Sequence, residues 1–307
     1  QLIGLNAYLL RTDPGQTEAV VAELSSRPEV RYAEPNYLAQ AALTPSDPDY
    51  LDADKVYAPQ IIQAEPAWDI STGDSSVVVA VVDTGVSLSH PEFGGRLLPG
   101  YDFVNGDGNP SDDNGHGTHV AGIIAAAMNN GLGTTGIAPD VQLLPVKALD
   151  GSALGSLADI ASAIVYATDQ GASVINLSLG SPFASTVLQD AVDYAAGHDV
   201  LLVAAAGNSG VDSPYYPASY AATLAVAATT AGDERWPLSN FGASVDVAAP
   251  GETIWSTLWS ASNPSGYGFV SGTSSAAPHV SGLAALLRSY RPDLTAIDLG
   301  ALLQQFA

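Results

Sequence analysis

Cysteine is absent from the 307-residue chain, and this absence excludes several kinds of chemistry at once. Disulfide bonds, a thiol nucleophile and a cysteine-ligated zinc site cannot occur. No apolar run reaches the length of about eighteen residues that a membrane span requires. The sequence does not open with the basic start and apolar core of a secretory signal, so we expect that such a segment was removed or never included.

Basic residues are also scarce, since 9 Lys and Arg stand against 32 Asp and Glu, for a net charge of −23. Such a surface repels phosphate backbones, so we expect no nucleic-acid partner and, without an apolar span, no membrane partner. An acidic surface can reflect adaptation to salt, a cationic substrate or solubility. Because charged residues make up only 13% of the chain, we favour solubility and calcium binding.

The first 42 residues form a small predicted unit that differs from the rest of the chain. LIGLNAYLLRT predicts a strand, TEAVVAELSSRP a helix with Val20, Val21 and Leu24 on or near one face, and VRYAEPNYLAQ a second strand. A β-α-β piece of about forty residues buries little apolar surface alone. It therefore either needs a partner surface or is an ordinary N-terminal extension.

Residues 43–307 follow a different pattern, in which apolar runs alternate with helical segments. Continuous apolar and β-branched runs suit parallel strands that are covered on both faces. Two segments of helical periodicity end at Gly171 and Gly197, which suit helix C-caps. The predicted fold class is therefore α/β, a doubly wound and mostly parallel sheet. The predicted strands are 77–83, 141–149, 172–179, 200–207 and 223–229.

Three short motifs supply the residue types of an acid–base–nucleophile set. VVDTGV contains Asp83, NGHGTHVAG contains His116 and SGTSSAAPHVSG contains Ser274. A serine hydroxyl is a poor nucleophile until an imidazole takes its proton and a carboxylate orients that imidazole. The order Asp…His…Ser differs from that of chymotrypsin-like proteases and of α/β-hydrolases, and no G-x-S-x-G elbow is present. Asp83 and Asn208 both fall at the ends of predicted strands, where doubly wound sheets form their sites.

Each of these residues also has a simpler interpretation. His116 and His119 lie about one helical turn apart and could be metal ligands, although no glutamate lies between them as in H-E-x-x-H. Ser274 precedes an amphipathic helical segment and could be a simple N-cap, but there its N–H and the helix dipole also face an oxyanion. Asn208 is either a turn asparagine or a second oxyanion donor.

Together, the motifs and their order resemble the subtilisin-family serine proteases (subtilases), nearest in pattern to the thermitase branch. The resemblance implies a three-layer subtilisin-like fold and a serine endopeptidase that works through an acyl-enzyme. It implies that Ser274 attacks, His116 relays the proton, Asp83 orients His116, and Asn208 with the Ser274 N–H holds the oxyanion. Two alternatives stay open: an ester or polyester hydrolase with the same triad, and a non-catalytic form inhibited by its propeptide.

The resemblance also places a substrate groove. One side of the bound peptide strand would be Ser178, Leu179 and Gly180, and the other Ala153, Leu154 and Gly155. The primary specificity pocket would be lined by Ala205, Ala206 and Gly207, with Tyr215 near its base, where the ring could make the pocket shallow or swing aside. We expect broad, apolar-leaning cleavage of protein and peptide substrates.

Structural calcium is the cofactor that the resemblance implies, because calcium binds carboxylate, amide and carbonyl oxygens. An acidic loop before His116 resembles the second calcium site of thermitase, although a solvated acidic turn would have the same composition. Its candidate ligands are Asp102, Asn105, Asp107, Asn109 and Ser111. A first site is suggested by Asp47, Glu92 and Asn130 with the carbonyls of Met128, Leu132 and Thr134.

For residues 1–42, the resemblance implies the second half of a subtilase propeptide, a folding chaperone and inhibitor whose tail, residues 37–42, lies in the active-site cleft. The domain boundaries are thus predicted at 1–42 and 43–307. We also expect a secreted, monomeric enzyme.

Overall fold

The computed structural model describes residues 6–13, 15–37 and 43–306, and the chain divides into two compact units, Gln1–Ala42 and Leu43–Ala307. The first unit contains helix α1, Thr17–Ser25, as the sequence predicts. The described residues on either side of α1 carry no strand, so the predicted β-α-β arrangement is reduced there to its helix. Two strands and one helix bury too little surface to hold a sheet unaided. Residues 38–42 of the predicted tail lie outside the described residues.

A seven-stranded sheet forms the centre of the second unit, in the order β2-β3-β1-β4-β5-β6-β7, and every pairing in it is parallel. The α/β fold with a mostly parallel sheet is therefore confirmed. The strands are β1 (Val78–Asp83), β2 (Tyr101–Asp102), β3 (Gln142–Lys147), β4 (Val174–Leu177), β5 (Leu201–Ala205), β6 (Thr223–Thr229) and β7 (Val247–Pro250), followed by an antiparallel hairpin of β8 (Ile254–Ser260) and β9 (Asn263–Val270).

Helices cover both faces of the sheet. Strand β1 shows why its run of valines and alanine is apolar throughout, because Val79 and Val81 pack into one core and Val78, Ala80 and Val82 into the other. Burying a valine fully contributes about 1.5–3 kcal/mol, so this central strand anchors both layers. The helices of this unit are α2 (Ala58–Ile61), α3 (Ala64–Trp68), α4 (His116–Ala125), α5 (Leu157–Asp169), α6 (Thr186–Gly197), α7 (Thr273–Tyr290) and α8 (Ala296–Phe306), with one 3₁₀ turn at Pro91–Phe93.

The order in which strands are added to the sheet changes direction at β1, which has β3 on one side and β4 on the other. In doubly wound sheets, sites form outside the carboxyl ends of the strands at such a switch point. Asp83 is the last residue of β1, and Ser178 and Ala206 follow β4 and β5 directly. No helix among the described residues is long and apolar enough to cross a membrane.

Candidate active site

Asp83 and His116 form a close pair at the carboxyl end of β1. Asp83 is fully buried, and its Oδ1 accepts a hydrogen bond from His116 Nδ1 at 2.7 Å and another from the Thr84 N–H at 2.7 Å. The His116 side chain, the first of α4, keeps 23% of its surface exposed. With the Nδ1 proton held by the carboxylate, Nε2 is the nitrogen free to exchange a proton with a substrate or a nucleophile.

Burial disfavours the charged form of His116, but the charge and hydrogen bond of Asp83, with a contribution from the Asp112 charge, outweigh it and raise the pKa of His116 above its ordinary value. An imidazole in this setting gains a proton readily and stabilises the imidazolium that forms. The pair therefore has the electrostatics of a general base.

Asp112, which the sequence analysis did not single out, fixes the start of α4. This buried carboxylate accepts the N–H groups of Gly115 and Thr118, each at 2.9 Å, so it caps the helix that carries His116. It also accepts the Thr84 hydroxyl at 2.9 Å, and the same hydroxyl accepts the Gly117 N–H at 2.9 Å. These bonds join the helix start to the residue after Asp83. The sequence signal that could have predicted this cap is an aspartate four residues before the histidine that begins the helix.

Gly117 shows how closely α4 approaches the end of β1. A Cβ at this position would lie 2.1 Å from the Gly85 carbonyl oxygen and 3.2 Å from Asp83 Oδ1. No side chain fits there. The glycine in the HGTH motif therefore serves the contact between the two elements that hold Asp83 and His116.

Ser274 is the second residue of α7, and its neighbourhood brings in Asn208. Asn208 Oδ1 accepts both the N–H and the hydroxyl of Thr273 at 2.8 Å, which fixes the orientation of the Asn208 amide. A Cβ built on Gly272 would lie 3.0 Å from Ser274 Oγ, 3.2 Å from Asn208 Nδ2 and 3.6 Å from the Ser274 nitrogen. A hydroxyl, an amide and a backbone N–H thus converge on one small volume that glycine leaves open.

The remaining histidines have structural partners. His119 Nε2 bonds to the Ile254 carbonyl at 3.0 Å, and burial lowers its pKa to about 3. His279 Nδ1 bonds to the Ser275 carbonyl at 2.9 Å, and burial lowers its pKa to about 4. Since Nε2 of His119 faces a carbonyl oxygen, it carries the proton and is not poised as a metal ligand with His116.

The predicted groove residues fall on loops that follow the strands. Ser178 is buried, and its hydroxyl donates to the Ser274 carbonyl at 2.8 Å, so that loop is tied to the start of α7. Leu154 lies in an exposed turn after β3, in which the Asp150 N–H donates to the Leu154 carbonyl at 2.8 Å. The other predicted residues occupy the same loops: Leu179 and Gly180 after β4, Ala153 and Gly155 in the turn after β3, Ala205 at the end of β5, and Ala206 and Gly207 directly beyond it.

The first predicted calcium site contains two acidic residues, Asp47 and Glu92. Both carboxylates are fully buried, and neither forms a salt bridge within the described ranges. Asp47 accepts the Asn129 and Gly131 N–H groups at 2.7 and 3.1 Å. Burial raises the pKa of Glu92, and the Asp47 charge adds to the rise although hydrogen bonds from Tyr267 and Asn130 oppose it. Buried negative charge and oxygen donors fit a calcium ion.

The second predicted calcium loop is closed by its own hydrogen bonds. Asp102 accepts the Asn105 side-chain amide at 2.8 Å, Asp107 accepts the Asn109 N–H at 2.9 Å, and Ser111 donates to Asn109 Oδ1 at 2.7 Å. These oxygens suit calcium by type, but they are partly engaged with one another. The part of the chain that the structure describes contains no group of three His, Cys, Asp or Glu side chains that could hold a metal.

The chain is similar to known proteins over most of its length. A family model described as the subtilase family matches residues 74–307, and one described as the fervidolysin N-terminal prodomain matches residues 2–36. The chain is 50% identical to the thermophilic serine proteinase of Bacillus sp. (strain AK1), over 90% of this chain and 67% of that protein. It is 48% identical to thermitase of Thermoactinomyces vulgaris, over 80% of this chain and 86% of that protein.

A solved structure shows the same fold. The crystal structure of a cold-adapted subtilisin-like serine proteinase superimposes with a TM-score of 0.69 at 40% sequence identity, covering 76% of this chain and 84% of that one.

Proposed function

The chain belongs to the subtilase family and is a serine endopeptidase, and we propose that Asp83, His116 and Ser274 are its catalytic triad. The observation that carries the proposal is the convergence of Ser274 Oγ, Asn208 Nδ2 and the Ser274 nitrogen on the volume beside Gly272. The 2.7 Å bond between Asp83 and His116 supplies the oriented base.

In the proposed reaction, His116 Nε2 takes the Ser274 proton as Oγ attacks the peptide carbonyl. The carbonyl oxygen becomes an oxyanion, which Asn208 Nδ2 and the Ser274 N–H stabilise by hydrogen bonds that strengthen as charge develops. His116 then gives its proton to the leaving amine, and an acyl-enzyme remains on Ser274. Water, activated by the same imidazole, attacks the acyl carbonyl and releases the carboxylate product.

Labelling of the active serine tests this assignment. A sulfonyl fluoride should modify the native protein at Ser274 and stop peptide hydrolysis, whereas a Ser274→Ala variant should take no label and hydrolyse nothing. Ser162→Ala is a matched control, because that hydroxyl only donates to the Ala158 carbonyl within α5. Labelling at another serine, or peptide hydrolysis by the Ser274→Ala variant, would contradict the triad.

The proposed specificity is broad and leans toward apolar side chains. Two alanines and a glycine, Ala205, Ala206 and Gly207, are the predicted pocket walls, and they carry no charge to select a basic residue. Digestion of a mixed peptide library should therefore yield cuts after apolar residues, and a strict preference for Lys or Arg would overturn this.

We further propose that calcium is a structural cofactor held by Asp47, Glu92 and Asn130 together with carbonyls of the 128–134 loop. When bound, the ion would supply positive charge between two buried carboxylates that have no basic partner among the described residues. It would tie the segment around Asp47 to that loop. The acidic loop around Asp102 is proposed as a second site.

Residues 1–42 are proposed to act as a propeptide, which the prodomain match over residues 2–36 supports. A propeptide of this kind keeps the protease inactive until it is removed. The proposed setting is extracellular, with a monomer acting on proteins and peptides, and it follows from the resemblance to secreted subtilases. The net charge of −23 further argues against nucleic acid as a partner.

A further inference from the structure

The chain segments that follow β4 and β5 lie on either side of a position beside Ser274, which is called the slot below. The two strands are parallel neighbours, and their last paired residues are Leu177 and Ala204. Both continuations are tied to the start of α7: Ser178 Oγ donates to the Ser274 carbonyl at 2.8 Å, and the Gly207 N–H donates to Thr273 Oγ1 at 3.1 Å. A side chain on the residue whose carbonyl Ser274 attacks would therefore enter this slot.

Tyr215 occupies the slot. Its ring lies against both walls, because a Cβ on Gly180 would be 2.4 Å from the ring and a Cβ on Gly207 would be 3.0 Å from it. Its hydroxyl donates to the Gly180 carbonyl at 2.8 Å. The ring thus bridges the two segments and requires glycine on each side.

The backbone around Tyr215 is held as firmly as its hydroxyl. The Tyr215 N–H donates to Ser219 Oγ at 2.9 Å, and the Ser219 N–H donates back to the Tyr215 carbonyl at 2.8 Å. The next residue, Tyr216, exchanges two 2.8 Å backbone hydrogen bonds with Ser181, on the segment that follows β4. Moving the ring aside would break the Gly180 bond and expose a half-buried aromatic surface.

We propose that Tyr215 narrows the broad apolar preference proposed above: it limits the primary specificity pocket to small apolar side chains, alanine above all, and excludes aromatic ones. The proposal rests on the proposed function, because it takes Ser274 as the nucleophile. An alanine side chain needs only the room of one methyl group, whereas a phenylalanine ring would need the volume that Tyr215 fills. Tyr215 is accordingly a specificity-determining residue, and its two glycine neighbours make that position possible.

Peptide p-nitroanilides that differ only in the residue before the scissile bond test the proposal. The native enzyme should have a higher kcat/KM for alanine than for phenylalanine. A Tyr215→Gly variant should raise the phenylalanine-to-alanine ratio by about 100-fold or more, since apolar pocket contacts discriminate over about 10–200-fold per group. Tyr215→Phe keeps the ring, so it should stay within a few-fold of the native ratio.

Tyr220→Phe is the matched control, because its hydroxyl bonds to Ser185 rather than to a slot wall, and its ratio should not change. Titration of active sites with a sulfonyl fluoride gives the folded, competent fraction of each variant, so a partly misfolded variant still yields a ratio. Tyr215→Asn serves as the second enlarging variant if Tyr215→Gly does not fold.

Two outcomes overturn the assignment of Tyr215 while leaving the triad intact: equal cleavage after alanine and phenylalanine by the native enzyme, or an unchanged ratio in a titratable enlarging variant. Absence of any label on Ser274 in the native enzyme would instead overturn the proposed function itself. The two failures are therefore distinguishable in one set of samples.

Discussion

At the scale of single residues, the lack of a side chain at Gly272 leaves room for the proposed oxyanion site. An alanine there would place its Cβ 3.0 Å from Ser274 Oγ and 3.2 Å from Asn208 Nδ2, in the volume that the carbonyl oxygen must enter. We predict that Gly272→Ala lowers kcat by about 100-fold or more, as loss of an oxyanion donor does. Because Gly272 has a φ of +159°, which side chains rarely adopt, the variant should also lose about 1–3 kcal/mol of stability. Steady-state kinetics and melting of the same samples measure both.

The control for this substitution is Gly197→Ala, at the last residue of α6, where an added Cβ meets no atom within 4 Å. That variant should keep native kcat. A Gly272→Ala enzyme with native kcat would show that the converging groups do not bind the oxyanion.

His279 should make the fold sensitive to acid. Burial lowers its pKa to about 4 in the folded state, while the unfolded chain keeps a value near 6.5. The unfolded state therefore binds the proton first, and the free energy of unfolding falls as the pH drops from about 6.5 to 4. The loss from this residue is about 3 kcal/mol, at about 1.4 kcal/mol per pH unit.

Denaturant unfolding of the native protein and of His279→Gln across this pH range measures the difference. The variant should lose stability less steeply, and His198→Gln, at an exposed position, should follow the native slope. Parallel slopes for the native protein and His279→Gln would contradict the prediction.

Residue types and local context were enough to predict Asp83, His116, Ser274 and Asn208, because each belongs to a short motif at a strand end or a helix start. The hydrogen bonds of Asp112 and the position of the Tyr215 ring were not predictable in this way. Both depend on partners far away in sequence, such as Thr84 for Asp112 and Gly180 for Tyr215.

At the scale of elements, the start of α4 decides where His116 lies. We predict that Asp112→Asn destabilises the protein by about 1–2 kcal/mol, because the cap on Gly115 and Thr118 is weakened. Removing the Asp112 charge should also lower the pKa of His116, since that charge helps to raise it. The base then stays neutral to lower pH, so the acidic limb of the kcat/KM profile should move to lower pH.

A pH–rate profile and a denaturation curve for Asp112→Asn check the two effects together. Asp190→Asn, an exposed carboxylate on α6, should change neither. An Asp112→Asn enzyme with the native acidic limb would show that this carboxylate acts on the fold alone.

Strand prediction succeeded for the buried parallel strands and overshot at their carboxyl ends. The run 172–179 ends as β4 at Leu177, and the run 200–207 ends as β5 at Ala205. The residues beyond are as small or apolar as strand residues, so the pattern does not show that the backbone leaves the sheet there. Hairpin strand β9 was not predicted because Pro264, Gly266 and Gly268 are typical of turns.

At the scale of the whole molecule, calcium should contribute to stability. An ion bound only by the folded state at 100 times its Kd adds about 2.7 kcal/mol. For a unit of this size, about 2–4 °C per kcal/mol gives a fall in Tm of about 5–10 °C when a chelator is added. Thermal melting with calcium and with chelator measures this, and equal Tm values would contradict a stabilising role for calcium.

The Asp47→Asn variant distinguishes calcium binding at this site from a nonspecific effect of salt on stability. The variant should lose most of the calcium-dependent shift, yet in chelator it should be at least as stable as the native protein, because one of two buried carboxylates has been neutralised. Asp190→Asn should keep the full shift.

The proposed enzyme should process its own chain where the two units meet. The residues before Leu43 are Ala-Gln-Ala-Ala, and a pocket narrowed by Tyr215 accepts alanine. The Leu43 N–H already donates to Asp69 Oδ1 at 2.5 Å, so cleavage after Ala42 would turn this bond into a charge-assisted one between a new ammonium group and a carboxylate. Maturation should therefore end at an enzyme that begins with Leu43.

Intact-mass analysis and N-terminal sequencing during incubation identify the cut. The native chain should lose residues 1–42, while Ser274→Ala should stay intact and Ala42→Phe should be cut at least about 10-fold more slowly at this bond, because the pocket rejects the ring. A mature chain that begins after Tyr37 or Leu38 would contradict both this site and the narrow pocket, since those bonds follow large side chains. If Tyr215→Gly restores rapid cleavage after residue 42 in the Ala42→Phe chain, the two predictions are linked. A single ring would then determine both the substrates of the enzyme and the bond at which the propeptide is released.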